Sequence, residues 1–138
     1  MKFEHIVWTI GKLIKLYESG KINLSPSYHI NVLWTAKDQK QLIDTITKNQ
    51  PIPNFFLKTD DSESYEVVDG QQRARIILGY ANLNFPDLNG KYLDDEIKDA
   101  FLNYPLSITL ITELSDKESI EKFYSLVHSA RFRFNGFE

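Results

Sequence analysis

The sequence predicts an α/β fold in which helices flank a small mixed β-sheet. Two runs rich in β-branched and aromatic residues, 65–68 and 106–111, are typical of strands. Apolar residues recur at the i, i+3, i+4 spacing of core-facing helices in 10–17, 42–46 and 120–127. The helical and strand-like segments are interspersed along the chain, so we expect both kinds of element in one core.

Composition excludes several classes of protein. The 138 residues fit one domain, 1–138, and the net charge of −3 does not support binding to nucleic acid mainly by charge. The chain has no cysteine, which excludes disulfides, thiolate metal sites and a cysteine nucleophile. No apolar run reaches membrane-spanning length and no signal-peptide pattern opens the sequence, so we expect a cytoplasmic protein.

The first predicted helix runs through Tyr17, capped near Thr9 and stopped by Gly20. A short strand is predicted before it. Residues 21–34 lack clean periodicity and contain the helix breaker Pro26. This segment carries three conspicuous rings, and it is either an aromatic plug over the core or a loop that closes over a ligand. The rings belong to Tyr28, His29 and Trp34.

The middle of the chain predicts a helix followed by a β-hairpin. Thr35 and Asp38 form a variant capping box for a helix that ends near Asn49. Pro51 and Pro53 make the next segment a stiff, extended connector. Two strand-like runs then flank an acidic turn, so residues 54–68 are predicted to pair as a hairpin.

The last third predicts a strand at 106–111 and then a helix. Ser115 and Glu118 have the spacing of a capping box, which places the start of this helix next to Ser115. Residues 129–138 alternate basic and aromatic side chains, a pattern typical of a terminal strand or a tail. Arg131 and Arg133 are candidates for DNA contact by charge, beside rings that stack on bases.

The stretch from Tyr65 to Arg73 is the strongest functional candidate. A β-branched run stops at Asp69 and Gly70 and restarts as a polar segment with helical spacing, which predicts strand, tight turn and helix. Backbone N–H groups at a helix start are unpaired and lie at the positive end of the helix dipole, so such a turn can hold an anion. Arg73 and Arg75 would add positive charge. The alternative is an ordinary junction in which Asp69 caps the helix.

This stretch resembles the signature of the DGQQR domain family. Three further segments match that family's motifs in order and extend the resemblance over about residues 9–130. They are Leu24-x-Pro26-x-Tyr28 with Trp34, Leu42-Ile43-x-x-Ile46 with Pro51-Ile52-Pro53, and Ile108–Leu110 with Ile120-x-x-Phe123.

The resemblance implies a ParB/sulfiredoxin-like fold and the N-terminal part of a GmrSD-type modification-dependent restriction enzyme or a related phage-defence protein. It also implies NTP binding and hydrolysis, with Mg²⁺ as cofactor and with Asp69 acting either as a Mg²⁺ ligand or through water. The catalytic roles would fall to Asp69, Gln72 and Arg73. The expected nucleotide contacts are Gly70, Gln71, Arg75, Tyr28, His29 and Trp34. DNA would be reached through a partner nuclease domain or subunit.

Three positions depart from the family pattern. His29 and Ile30 stand where the family commonly has glutamine and arginine, and His128 stands where it often has asparagine. The missing arginine weakens the expectation of hydrolysis more than that of binding. The chain also lacks a His-Asn-His-type nuclease cluster. Two functions follow from the sequence: a nucleotide-binding domain with weak NTPase activity, or a DNA- or protein-binding module that keeps the fold without catalysis.

Overall fold

A mixed five-stranded β-sheet organises the described part of the chain. The computed structural model describes residues 1–28, 34–115 and 117–135, with side chains described through residue 129. The strands are β1 (Lys2–Thr9), β2 (Ile22–Asn23), β3 (Phe55–Lys58), β4 (Tyr65–Asp69) and β5 (Pro105–Glu113). Their order is β1-β5-β3-β4-β2. β5 pairs in parallel with β3, and β2 with β4, while β1–β5 and β3–β4 are antiparallel. The predicted mixed sheet and the hairpin are confirmed.

Five helices accompany the sheet in the described residues. They are α1 (Ile10–Glu18), α2 (Ala36–Thr47), α3 (Gln71–Ala81), α4 (Lys98–Leu102) and α5 (Ile120–Asn135). Two predicted N-caps are confirmed, because the Thr9 hydroxyl accepts from the Lys12 N–H and the Thr35 hydroxyl from the Asp38 N–H, each at 3.1 Å. Within the described ranges no helix combines the length and apolar character needed to cross a membrane.

The core lies on one face of the sheet. Alternate residues of β3 and β5, such as Phe55 and Ile108, point into it because successive side chains of a strand face opposite ways. The apolar stripes of α1, α2 and α3 join the same cluster. The other face carries Phe56, whose ring meets Phe123 of α5 edge-on at 5.5 Å. Helix α5 therefore packs on the face of the sheet opposite the one that α1, α2 and α3 cover.

Two predictions at the C-terminal end are wrong. Helix α5 begins at Ile120, and Ser119 rather than Ser115 serves its first turn, accepting from the Lys122 N–H at 3.1 Å. The Ser115 N–H instead donates to Glu118 in the turn before the helix. The backbone stays helical through Asn135, where a strand or tail was expected. Gly and Pro are absent from 120–135, and helix propagation is cooperative, so the local alternation does not end the helix.

The N-terminal strand also differs from expectation. β1 has eight residues and pairs along β5 as one edge of the sheet, whereas a short strand was predicted. Its side chains show no clean alternation, because only Trp8 is buried and the outward Phe3 and Val7 are apolar. β2 has two residues, too few to produce a sequence pattern.

Candidate functional site

The predicted strand–turn–helix at residues 65–81 is present. β4 ends at Asp69, α3 begins at Gln71, and Gly70 between them has φ of 110°, in the left-handed region. A Cβ at Gly70 would lie 2.4 Å from Cδ2 of Phe55, so the position has room only for glycine. Gly70 occupies the N-cap position and supplies no side-chain hydrogen bond, while Asp69, the last residue of β4, precedes it by one position.

The Gln71 side chain links the first turn of α3 to the end of β4. Its side chain is 1% exposed, and Nε2 donates to the carbonyls of Val67 at 2.7 Å and Val68 at 2.8 Å. A buried amide with both protons bonded holds its position strongly, because losing a partner would leave a buried polar group unsatisfied. The Gln71 side chain therefore shapes the turn.

Arg73 is the largest side chain that the fold buries completely, at 1% exposure. Its guanidinium donates to the carbonyls of Pro53 and of Asn54, the latter at 3.1 Å. It also lies 4.3 Å from the Phe55 ring centroid, with Nη2 3.8 Å from the Asp69 carboxylate. The side chain thus ties the proline connector to α3. Its pairing with phosphate stays a prediction.

Asp69, the predicted Mg²⁺ ligand, is 3% exposed and faces the Arg73 guanidinium. Mg²⁺ is commonly held by one or two carboxylates together with substrate phosphates and water. Here the nearby guanidinium already offsets the carboxylate charge. Among the described residues, no group of three His, Asp or Glu side chains could hold a metal. A Mg²⁺ ion would therefore share the Asp69 carboxylate with the Arg73 guanidinium. The metal stays a prediction, and no step is derived through it.

Arg75 of α3 contacts the segment that contains Leu24 and Ser25, at the start of the first family motif. Its guanidinium donates to the Leu24 carbonyl at 3.3 Å and to the Ser25 hydroxyl. Arg75 is partly exposed, as is Gln72 in the first turn of the same helix. These two side chains are the polar groups of α3's first turns that solvent reaches.

An aromatic cluster joins the first motif to α5. The Tyr28 hydroxyl donates to Glu66 at 2.5 Å, and its ring meets Tyr124 at 5.3 Å. Tyr124 stacks on His128 with ring centroids 5.6 Å apart. Burial, and then the Glu66 carboxylate, raise the pKa of Tyr28, so its hydroxyl stays a donor at neutral pH. Tyr28 and His128 are thus linked through Tyr124, while His29 lies outside the described residues.

Trp34 lies on the other side of the junction. It lines a cavity of about 290 Å³ together with Arg73 and with residues of α2 and the proline connector, among them Asp38 and Ile52. Two predicted site residues that are 39 positions apart therefore border one cavity. Arg131 and Arg133 lie in α5, where the structure describes the backbone but not their side chains.

Three residues of this neighbourhood were not predicted as site residues. Glu66 holds Tyr28, Tyr124 links the aromatic cluster, and Phe55 packs against both Gly70 and Arg73. Tyr124 was placed in the core by its helical spacing, and Phe55 looks like any strand residue. Of the three, only Glu66 lies within a recognised motif, the 65–73 stretch. Its place in that motif was the one feature of the sequence that could have marked it as a site residue.

Comparison with protein families identifies the chain. The model of the family described as the N-terminal domain of GmrSD restriction endonuclease matches residues 10–135. Comparisons with curated proteins and with solved structures gave no match. The family match spans the junction, the proline connector and most of α5. The chain therefore belongs to the family of N-terminal domains of GmrSD restriction endonucleases.

Proposed function

We propose that this domain binds a nucleoside triphosphate at the 69–73 junction within a modification-dependent restriction or phage-defence system. The observation that carries the proposal is Gly70. Its left-handed backbone, packed on Phe55, starts α3, and as the N-cap it supplies no capping side chain of its own. The first N–H groups of a helix lie at its positive dipole end, which favours phosphate.

Charge near the turn supports the same ligand. The Arg73 guanidinium lies under the turn, where a low dielectric strengthens its field, although its N–H groups are directed to carbonyls. Arg75 lies one half-turn further along α3 and is partly exposed. Phosphate would then be bound by backbone N–H groups and by Gln72, with the arginines contributing positive potential rather than a bidentate clamp.

Hydrolysis is the weaker part of the proposal. Asp69 is the carboxylate at the turn, and its place beside Arg73 suits a group that orients water or a neighbour through hydrogen bonding. Ile30 replaces the arginine that the family commonly carries. A loss of positive charge near the phosphates lowers stabilisation of the transition state more than it lowers ground-state binding. We therefore expect tight binding with slow turnover.

Gln72 offers a substitution that separates binding from stability. Gln72→Glu places a negative charge at the N-terminus of α3, which should keep or slightly raise stability, by about 0.3–1 kcal/mol, while it repels phosphate. Calorimetric titration with ATP, GTP and CTP in the presence of Mg²⁺ should show at least about tenfold weaker binding than wild type, equivalent to about 1.4 kcal/mol. Thermal denaturation checks the stability.

The matched control is Gln72→Lys. It should lower stability slightly and retain or strengthen triphosphate binding, because the sign of the added charge is reversed. Binding that is equal in the two variants would contradict a phosphate site at this turn, and so would the absence of heat with every nucleotide in wild type.

The second candidate function is a DNA- or protein-binding module without catalysis. The continuous helix α5 favours it, because this helix carries Arg131 and Arg133 in its last turns. An electrophoretic shift with DNA that weakens steeply with salt, and that Arg131→Gln and Arg133→Gln together abolish, would support this candidate. A salt-independent result would leave the triphosphate site as the better explanation.

A further inference from the structure

A groove of about 430 Å³ lies on the sheet face that α5 covers only in part. Its volume falls within the range of small-molecule sites. It is bordered by β1, β3, β5 and the start of α5, and the core helices lie on the opposite face. The lining residues used below are Phe3, His5, Asn54, Phe56, Thr109 and Phe123.

A buried hydroxyl organises the polar end of the groove. Thr109 is 6% exposed, and its Oγ1 lies 3.0 Å from Nδ1 of His5 and accepts from Nδ2 of Asn54 at 3.0 Å. A hydroxyl accepts two hydrogen bonds and donates one, so Thr109 can pair with Nδ1 of His5 as donor or as acceptor. The cluster adds two further polar atoms, Nε2 of His5 and the acceptor Oδ1 of Asn54.

Strand register makes this arrangement rigid. His5 is paired with Thr109 across β1 and β5, and Thr109 is paired with Phe56 across β5 and β3. Paired residues in adjacent strands project to the same face of a sheet. The three side chains therefore form one row over three strands, and their spacing is set by backbone hydrogen bonds rather than by a loop.

Aromatic rings form the walls. Phe3 meets His5 edge-on at 5.6 Å, and Phe56 meets Phe123 edge-on at 5.5 Å. Among the described residues, the lining side chains include no Lys, Arg, Asp or Glu. Met1 also lines the groove, and its α-ammonium group is paired with the Glu118 carboxylate at 2.6 Å. With that charge already paired, a flat, neutral ring that gains stacking and apolar contact suits the groove better than a charged ligand.

We propose that this groove binds the base of a nucleoside or nucleotide. A nucleobase is planar and presents hydrogen-bond donors and acceptors side by side on one edge, so a single edge can pair with both Nε2 of His5 and Oδ1 of Asn54. An aliphatic ligand would leave both polar groups without partners, at a cost that disfavours it. The proposal stands on the groove's own geometry and does not require triphosphate binding at the 69–73 junction.

The test is an NMR titration of the full chain with adenosine, guanosine, cytidine and uridine. At least one nucleoside should shift the backbone amides of Asn54 and Thr109 and the ring signals of Phe56. His5→Phe keeps an aromatic ring and removes Nε2, and Asn54→Ala removes Oδ1. Each should weaken binding about tenfold. Glu4→Gln, on the opposite face of β1, is the control and should bind as wild type does.

Two further titrations distinguish a free nucleoside or nucleotide from a base within a nucleic-acid strand. Equal affinity for the nucleoside and its triphosphate supports recognition of a free base moiety, while a single-stranded oligonucleotide that shifts the same signals more strongly supports a base within a strand. No shift with any nucleoside, or binding that neither substitution weakens, overturns the proposal. Nucleoside binding that persists in Gln72→Glu supports the groove as a site of its own, whatever the outcome for ATP at the 69–73 junction.

Discussion

Replacing Arg73 with methionine should lower the free energy of unfolding by about 3–5 kcal/mol. The substitution keeps an unbranched side chain but removes the donors to the Pro53 and Asn54 carbonyls and the cation beside Asp69. The carbonyls and the carboxylate are then left buried without that partner, and each such group costs free energy. Urea denaturation followed by circular dichroism measures the change.

Arg75→Met is the matched control for this substitution. Arg75 lies on the same helix and also donates to two acceptors, Leu24 and Ser25, but it is partly exposed, so water replaces the lost bonds. We expect a loss of about 1 kcal/mol. If Arg73→Met is no more destabilising than Arg75→Met, the guanidinium is not a structural tie and becomes available to a phosphate.

This expectation changes how loss of binding in an Arg73 variant is interpreted. Such a variant would lose nucleotide binding through local unfolding of the junction as readily as through a missing phosphate contact. Gln72 is therefore the informative position for binding, because it lies in the same turn, is partly exposed and tolerates a change of charge at a helix start.

Gly70→Ala should lower the free energy of unfolding by about 3 kcal/mol or more. An alanine at φ of 110° is strained, and its Cβ would also lie 2.4 Å from Cδ2 of Phe55 and 3.1 Å from Nη2 of Arg73. Neither neighbour yields easily, because Phe55 is 3% exposed and Arg73 is held by two carbonyls. Differential scanning calorimetry should show a markedly lower Tm.

Gly90→Ala isolates the backbone part of this effect. Gly90 has φ of 76°, but a Cβ there would meet nothing within 4 Å. It should cost about 1 kcal/mol, from conformational strain alone. The double variant Gly70→Ala with Phe55→Leu should be less destabilised than the sum of its single changes, since the smaller side chain relieves the clash. Equal losses at Gly70 and Gly90 would show that Phe55 does not restrict the turn.

Local signals predicted the elements whose causes are local. Thr9 and Thr35 were identified as caps because the hydroxyl and the N–H it accepts from are three residues apart. The 54–68 hairpin and the turn at Gly70 follow from short-range chemistry of the same kind. The start of α5 was misplaced by four residues because Ser115 and Ser119 are both residues that commonly cap helices. The Ser115–Glu118 pair forms a turn before the helix, and Ser119 caps the helix itself.

By itself, the sequence determined the strand–turn–helix at 65–81, the glycine at its centre and the family to which the motif belongs. The tertiary structure alone decided that Arg73 is buried on carbonyls, that Tyr28 bonds Glu66, and that His5, Thr109 and Asn54 share a groove. The physical reason is separation along the chain. Caps and turns act over three or four residues, whereas the partners of Arg73 lie about 20 positions away and His5 is 104 positions from Thr109. Those contacts exist only once sheet register and helix packing have brought the segments together.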